Sequence, residues 1–240
     1  MHDLLDPQQE TRRKVHPFRG QQGMKSASIL IADDHAVVRH GLRALLETQP
    51  GWKVVGAAKT GREALERAVE LHPDVAILDI GMPVLNGLDA ATLILKALPN
   101  TRVLFLTMHT AEELIEKTIK AGARGYILKS DAERDLIAAV DAIMHDKTFF
   151  TPAASEVIMD IFRNPHRRKQ RPSRAGRLSV RERQVVQLLA EGKSNKEVAS
   201  ELNVATRTIE GHRAKIMGKL RLRSFSELVR YAVRNKIVEP

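Results

Sequence analysis

Short apolar runs alternate with amphipathic stretches through the first three fifths of the chain. The runs predict strands at 28–33, 53–58, 74–79, 102–107 and 125–128, and apolar positions at helical spacing predict helices at 36–48, 61–71, 86–97, 111–121 and 131–144. Strands and helices that alternate in this way form a parallel sheet with helices on both faces. Right-handed crossovers favour a flavodoxin-like strand order. We therefore predict a doubly wound α/β domain with a five-stranded parallel sheet.

The last quarter of the chain has a different pattern, typical of an all-α domain. Three Ser-x-x-Glu pairs each precede a helical stretch: Ser179 with Glu182, Ser194 with Glu197, and Ser224 with Glu227. Such pairs form capping boxes, in which the serine side chain and the glutamate each bind the other's backbone amide. A further helix is predicted from Thr206 to Leu220. The short turn before it suits a helix-turn-helix, so we predict a four-helix domain of that kind.

These patterns divide the chain into four segments. Residues 1–23 are polar, contain Pro7 and Pro17, and predict a disordered extension. Residues 24–146 form the α/β domain and residues 178–240 the helical domain. Between them, residues 147–177 predict a linker that contains a short helix followed by a basic run.

Charge is distributed unevenly over these segments. The whole chain has a net charge of +10, of which residues 163–177 contribute +7 and residues 178–240 contribute +6, leaving −3 for residues 1–162. A basic second half indicates a polyanionic partner, and nucleic acid is the leading candidate. The alternative for the basic run by itself is that it only solvates a linker.

The composition excludes several other classes. The chain has no cysteine, which rules out disulfides and thiolate metal sites and favours a reducing compartment such as the cytoplasm. No apolar run approaches the ~20 residues that a membrane helix needs, and the first residues lack the pattern of a signal peptide. We expect no association with a membrane.

Candidate chemistry follows the predicted strands. Asp79 ends one apolar run and the pair Asp33 and Asp34 ends another, while Thr107 and Lys129 end the fourth and fifth strands. Because parallel strands end at the same edge of a sheet, these side chains should converge there. Carboxylates bind Mg²⁺, and a hydroxyl and an ammonium suit a phosphoryl group on Asp79. Taken singly, acids after strands commonly cap helices instead.

The predicted helix over 206–220 has two contrasting faces. Ile209, Ile216 and Leu220 fall on one face and should pack inward. The opposite face carries Arg207, Gly211, Ala214 and Gly218, and its flank carries Thr208, His212, Lys215 and Lys219. Small outward side chains let a helix lie deep in the major groove, where the flank reaches phosphates. The alternative is a helical bundle whose basic face is only solvated.

The acidic and strand-end motifs resemble the receiver domain of bacterial two-component response regulators. The resemblance covers about residues 27–146, and its motifs are Asp33-Asp34, Leu78-Asp79-Ile80-Gly81-Met82-Pro83 with Asn86-Gly87, Leu106-Thr107, and Gly125-Tyr126-Ile127-Leu128-Lys129. The sequence departs from many receivers at Ser130, where they have proline, so no cis peptide is expected there.

The resemblance implies a role for each matching residue. Asp79 is the expected phospho-acceptor for a sensor histidine kinase. Mg²⁺ is the expected cofactor, bound by Asp34, Asp79 and the backbone carbonyl of Gly81, with Asp33 acting through water. Thr107 and Tyr126 are the expected switch residues, and Lys129 is expected to pair with the phosphoryl group. The alternative for Tyr126 is an edge tyrosine that packs its ring and points its hydroxyl at water.

The helical segment resembles the LuxR-type DNA-binding domain over about residues 178–238. The matching motifs are Leu178-Ser179-Val180-Arg181-Glu182-Arg183, Glu191-Gly192-Lys193-Ser194-Asn195-Lys196-Glu197-Val198-Ala199, Thr208-Ile209-Glu210-Gly211-His212-Arg213 and Leu228-Val229-Arg230-Tyr231-Ala232. Receiver and helical segments together are similar to NarL/FixJ-type transcriptional regulators. The resemblance implies a recognition helix over 206–219 and dimer contacts on the helix over 225–235.

The expected DNA-binding residues lie on two helices of this domain. They are Asn195, Lys196, Arg207, Thr208, Gly211, His212, Ala214, Lys215 and Lys219. Ala205 stands where the family often has a serine that begins the recognition helix, and Thr206 is the alternative N-cap.

The leading hypothesis is a phosphorylation-gated transcription factor that binds double-stranded DNA, as a homodimer when phosphorylated or bound to DNA. The competing hypothesis is a magnesium-dependent phosphohydrolase, but the haloacid-dehalogenase pattern needs a second aspartate where Gly81 stands. A third is constitutive DNA binding with a degenerate receiver, against which the complete acidic set argues. Slow self-dephosphorylation is the only turnover expected.

Overall fold

The computed structural model describes residues 26–108, 112–163 and 178–238. The strands are β1 Ala27–Ala32, β2 Trp52–Ala58, β3 Val75–Leu78, β4 Arg102–Thr107, β5 Gly125–Leu128 and β6 Phe149–Phe150. The helices are α1 Ala36–Leu46, α2 Gly61–Leu71, α3 Gly87–Ala97, α4 Glu112–Lys120, α5 Ala132–Met144, α6 Pro152–Arg163, α7 Val180–Ala190, α8 Asn195–Glu201, α9 Thr206–Leu220 and α10 Phe225–Arg234. The predicted disordered extension and all of the basic run after Arg163 lie outside the described residues.

The strands form one parallel sheet in the order β2-β1-β3-β4-β5-β6. Its central strands are buried on both faces, as their unbroken apolar runs predict, and Ile29, Leu30 and Ile31 are all 0% exposed. Helices α1 and α5 cover one face, while α2, α3 and α4 cover the other. The flavodoxin-like doubly wound fold is confirmed.

The sheet has six strands among the described residues, whereas the sequence predicted five. Phe149 and Phe150 form β6, which pairs with β5 through Gly125 and Tyr126. Two residues are too few to show an alternating pattern, so this strand could not be predicted from hydrophobic periodicity. Helix α6 follows at once, and its Ala154 belongs to the apolar cluster that contains α4. The strand and the first half of α6, through Ile158, therefore pack on the sheet domain.

Helices α7 to α10 surround a separate apolar core, which confirms the all-α four-helix domain. The first two capping boxes form as predicted, at the starts of α7 and α8. At α10, Ser224 accepts a hydrogen bond from the Glu227 amide, but the Glu227 carboxylate accepts from the amide of Arg223 instead. Ala205 is the N-cap of α9 and Thr206 its first residue, so this helix begins without a side-chain cap.

None of the helices in the described ranges combines the length and the apolar character required to cross a membrane.

Candidate functional site

The carboxyl edge of the sheet brings together the acidic and strand-end residues. Asp33 follows β1 directly, Asp79 follows β3, Thr107 is the last residue of β4, and Lys129 begins a 3-10 turn after β5. Asp33 and Thr107 are each 1% exposed and Asp79 is 6% exposed. Asp34, next to Asp33, is exposed. The topology thus places two carboxylates inside the edge and a third at its rim.

One ammonium group bridges the two buried carboxylates. The Nζ atom of Lys129 lies 2.7 Å from Oδ2 of Asp33 and 2.9 Å from Oδ2 of Asp79. The other oxygen of Asp79 accepts a hydrogen bond from the amide of Ile80 at 2.8 Å. These contacts fix the position of the Asp79 carboxylate and keep a cation beside it. A group that receives a negatively charged ligand requires such a cation.

Burial and charge have opposite effects on the ionisation of this cluster. Burial raises the pKa of Asp79 most, and the charge of Asp33 adds to it, while the Lys129 ammonium acts against both. For Lys129, burial lowers the pKa, but hydrogen bonds and charge interactions with both aspartates outweigh burial, and its pKa is raised. The lysine therefore stays protonated at neutral pH.

The donor set fits a divalent cation. Ligand atoms of Asp33, Asp34 and His35 all lie within 4.8 Å of one another. The three carboxylates and the Lys129 ammonium carry a formal net charge of −2. Carboxylate oxygens are the ligands that Mg²⁺ prefers, so the residues present suit this ion.

His35 was not among the predicted site residues. Its Nδ1 atom lies 2.7 Å from Oδ1 of Asp34 and 3.3 Å from Oδ1 of Asp33, and its side chain is 68% exposed. Its position next to the acidic pair was the one indication in the sequence that it belongs to the site. An exposed histidine at the start of a helix has no pattern that marks it as functional.

The loop after Asp79 is packed tightly against the start of α3. A Cβ atom at Gly87 would lie 1.9 Å from the carbonyl oxygen of Asp79, so only glycine fits there. The amide of Gly87 donates to the carbonyl of Ile80 at 3.0 Å. The first turn of α3 therefore lies directly against the backbone of Asp79 and Ile80.

Tyr126 pairs with Phe150 of β6 and belongs to the apolar cluster against which α6 packs. It is 1% exposed, so its hydroxyl does not face water, and burial raises its pKa to about 12. Phe150, Val157 and Ile158 pack against the same apolar cluster. The predicted switch tyrosine is thus covered by residues that the sequence analysis assigned to the linker.

The helical domain contacts the loop after Asp79, an arrangement that the sequence did not reveal. Gln187 on α7 donates from Nε2 to the carbonyl of Met82 at 2.9 Å and accepts from the amide of Asn86 at 2.8 Å. The amide of Val84 donates to Glu191 at 3.1 Å. No motif distinguishes these α7 residues from other polar residues on a helix.

Two further contacts lie beside this one. The Nε atom of Arg183 lies 2.9 Å from both carboxylate oxygens of Asp89, which is 2% exposed. Lys117 on α4 donates to the carbonyl of Asn235 at 2.9 Å. A cavity of about 240 Å³ lies between the domains, and both Gly81 and Gln187 line it. The helical domain therefore covers one side of the acidic site.

Most of the predicted DNA-binding residues lie on an open surface. Asn195 and His212 are partly buried, and the others are exposed: Lys196, Arg207, Thr208, Gly211, Ala214, Lys215 and Lys219. Ile209 and Ile216 are buried at 0% and 1% exposure, which confirms the predicted inward face of α9. The Nζ atom of Lys219 lies 2.7 Å from Glu182, so this lysine has a partner within the domain. The outward face of α9 is accessible while α7 contacts the sheet domain.

The family models match both parts of the chain. The model described as "Response regulator receiver domain" matches residues 29–141, and "Bacterial regulatory proteins, luxR family" matches residues 177–232. Receiver domains bind Mg²⁺ at an acidic pocket of this kind.

Relatives and solved structures match across both domains. The oxygen regulatory protein NreC of Staphylococcus epidermidis is 39% identical over 215 residues, which cover 88% of this chain and 99% of NreC. The response regulator RcsB of Salmonella typhimurium is 27% identical, with a TM-score of 0.53 and coverage of 88% of this chain and 100% of that chain. RcsB bound to a promoter in the presence of the phosphomimetic BeF3⁻ is 27% identical, with a TM-score of 0.54 and coverage of 86% and 98%.

Proposed function

Because the chain belongs to the NarL/FixJ-type response regulators, which are phosphorylation-dependent transcription regulators, we propose that Asp79 accepts a phosphoryl group from a sensor histidine kinase. Phosphorylation in residues 24–146 then controls DNA binding by residues 178–240, with residues 147–177 as the connection and 1–23 as an extension. The observation that carries the proposal is the buried Asp79 carboxylate held 2.9 Å from the Lys129 ammonium.

The chain's own residues position the phosphoryl group. An oxygen of Asp79 attacks phosphorus and the bond to the donor breaks. Lys129 then pairs with a phosphoryl oxygen in place of the Asp79 carboxylate, and the Thr107 hydroxyl donates to another. Asp34, Asp79 and the carbonyl of Gly81, with Asp33 acting through water, would hold Mg²⁺, which would supply positive charge that offsets repulsion between carboxylate and phosphoryl oxygens.

Thr107 and Tyr126 form the proposed switch. Both are 1% exposed and lie on the neighbouring strands β4 and β5. A shift of Thr107 toward a phosphoryl group leaves space into which Tyr126 can move. Because Tyr126 shares an apolar cluster with β6 and α6, its movement changes the packing of the segment that leads to the helical domain.

DNA binding is assigned to α8 and α9. Helix α9 enters the major groove with Arg207, Gly211 and Ala214 facing bases. Asn195, Lys196, Thr208, His212, Lys215 and Lys219 contact the backbone. A homodimer, joined through the helix over 225–235, matches a DNA site with two-fold symmetry. Chromosomal DNA as the partner places the protein in the cytoplasm. Support for this surface comes from its exposure and from the DNA-bound structure of RcsB.

The decisive experiment compares phosphorylated wild type with Asp79→Asn. Incubation with acetyl phosphate and Mg²⁺ should add ~80 Da at Asp79 in wild type, and none in the variant. Phosphorylated wild type should bind operator DNA more tightly than Asp79→Asn, and binding should weaken steeply with salt. Asp146→Asn, an exposed acid whose side chain pairs with Arg102, is the control and should behave as wild type. Equal operator affinity for the two proteins would exclude gating.

Catalytic turnover is limited to slow self-dephosphorylation. A phosphohydrolase needs a general acid near the nucleophile, and Gly81 occupies the position two residues after Asp79. Sustained phosphate release from small phosphomonoesters would contradict this assignment.

A further inference from the structure

Gln187 belongs to the helical domain but is buried against the sheet domain. It is 1% exposed. Its amide nitrogen donates to the carbonyl of Met82 at 2.9 Å, and its amide oxygen accepts from the amide of Asn86 at 2.8 Å. One side chain thereby satisfies a backbone acceptor and a backbone donor four residues apart in the loop. Without it, both backbone groups would be left buried and unpaired in this arrangement.

The loop that Gln187 holds connects the acidic site to α3. It begins at Gly81, whose carbonyl is the proposed Mg²⁺ ligand, and ends at Asn86, the N-cap of α3. Gly87 follows, with no room for a Cβ atom against the Asp79 carbonyl. Both ends of the loop thus touch the phosphorylation site, so a side chain that fixes Met82 and Asn86 also fixes the backbone around Asp79.

The neighbouring contacts hold Gln187 in register. Arg183 and Glu191 lie one helical turn before and after it on the same face of α7. Arg183 pairs with Asp89, and Glu191 accepts from the amide of Val84. Three successive turns of α7 therefore contact the region between Met82 and Asp89, and Gln187 makes the central and most buried contact.

The same face of α7 also restricts the space beside the site. The cavity of about 240 Å³ is lined by Asp34 and Gly81 on one side and by Gln187 and Glu191 on the other. A magnesium ion usually retains several water ligands, and a phosphoryl group carries negative charge. The hydrated ion and the phosphoryl group both need space in this cavity and a loop that can move. The Glu191 carboxylate, which lines the same cavity, has the same sign of charge as the phosphoryl group and opposes its approach.

We propose that Gln187 is a positioning residue for the phosphorylation site: it holds the loop over 81–86 against α7, and this hold lowers both Mg²⁺ affinity and the rate at which Asp79 is phosphorylated. The inference rests on the proposed function of Asp79. Because coupling between two sites is reciprocal, occupation of the acidic site weakens the hold of α7 on the loop by the same factor.

The test uses the full chain and the variant Gln187→Met, which keeps the volume of the side chain and removes its hydrogen bonds to Met82, Asn86 and Glu191. Gln184→Met is the matched control, because Gln184 is also buried on α7 at 5% exposure but accepts from Arg181 within its own domain. The measurements are Mg²⁺ affinity by calorimetry without any phosphodonor, hydrogen exchange of the loop over 82–86, and the rate of phosphorylation by acetyl phosphate at saturating Mg²⁺.

Loss of a hydrogen bond of ordinary strength changes an equilibrium constant by about fivefold. Gln187→Met should therefore bind Mg²⁺ about fivefold more tightly, exchange loop amides faster and become phosphorylated about fivefold faster, by the same hydrogen-bond value. Gln184→Met should match wild type. Arg183→Met, which loosens α7 without touching the loop backbone, should shift the same quantities in the same direction.

Unchanged or weaker Mg²⁺ affinity in Gln187→Met would overturn the assignment of Gln187. Equal shifts in Gln184→Met would also overturn it, because the effect would then follow from general loosening of α7. If wild type gains no phosphoryl group, the proposed function fails. The Mg²⁺ titration and hydrogen exchange still decide whether Gln187 controls the loop.

Discussion

Replacing Lys129 by methionine removes the ammonium that contacts both Asp33 and Asp79. The two carboxylates are 1% and 6% exposed, so water cannot replace the lost partner fully. Methionine approximates the volume of the lysine stem, which separates the loss of charge from a loss of packing. The expected effect is electrostatic destabilisation of the sheet domain.

The magnitude follows from the burial of the pair. Removing one partner of a buried ion pair costs about 3–5 kcal/mol, and the rim position of this site favours the lower end, about 3 kcal/mol at pH 7. The cost is limited because one carboxyl can bind a proton instead. Its pKa in the folded variant then exceeds the unfolded value of about 3.9, and the folded state binds more protons than the unfolded state.

The sign of the pH dependence follows directly. A carboxyl group with a raised folded pKa makes the variant lose stability, relative to wild type, as pH rises above about 4, by at most about 1.4 kcal/mol per pH unit. Mg²⁺ should restore stability more in Lys129→Met than in wild type, because the net charge of the site changes from −2 to −3. Adding a chelator should reverse that recovery.

Trp52 makes the measurement specific to the sheet domain. It is the only tryptophan of the chain, lies on β2 and is 5% exposed. Its fluorescence during urea unfolding between pH 5 and 8 gives the free energy of unfolding of that domain. Arg102→Met is the control, because its partner Asp146 is 68% exposed and such surface pairs contribute at most about 1 kcal/mol. A Lys129→Met protein as stable as the control at pH 8 would refute the reasoning.

Three other substitutions test separate features. Gly87→Ala puts a methyl group where Asp79's carbonyl oxygen lies 1.9 Å away, so the loop must shift; we expect a loss of about 1–3 kcal/mol in urea unfolding and much slower phosphorylation by acetyl phosphate. Glu182→Gln removes the ion pair with Lys219. The pKa of Glu182 is lowered, since its partners outweigh burial, so its contribution to stability is present above about pH 4.3 and lost below it. The difference between wild type and Glu182→Gln in calorimetric unfolding should therefore shrink in acid; a constant difference would argue against the ion pair. Gly211→Ala has open space around the new methyl group and should stabilise α9 by up to about 1 kcal/mol, yet weaken DNA binding in a titration if this face enters the groove.

Local sequence patterns predicted the positions of helices and strands accurately. The α9 helix was predicted over 206–220 and found there, because its apolar spacing is clear along its whole length. Strand β3 was predicted at 74–79 and found at Val75–Leu78, because an unbroken apolar run marks a buried parallel strand. The capping boxes at Ser179 and Ser194 also follow from neighbouring residues alone.

Three features of the structure were not predicted, because each depends on a contact that the local pattern does not specify. Strand β6 has two residues, and only its pairing with β5 makes it a strand. Glu227 binds the amide of Arg223 rather than that of Ser224, a choice set by the turn before α10. His35 enters the acidic cluster through its distance to Asp34, which sequence adjacency does not specify.

The sequence by itself determined which residues have the chemistry: carboxylates after β1 and β3, a hydroxyl at the end of β4 and an ammonium after β5, since strand ends of a parallel sheet meet at one edge. Tertiary structure decided which of them touch, with Lys129 bridging Asp33 and Asp79. It also decided that Gln187 holds the loop after Asp79. Periodicity reports which face of an element is buried, whereas the partner of a buried polar group depends on side chains that fold in from elsewhere in the chain.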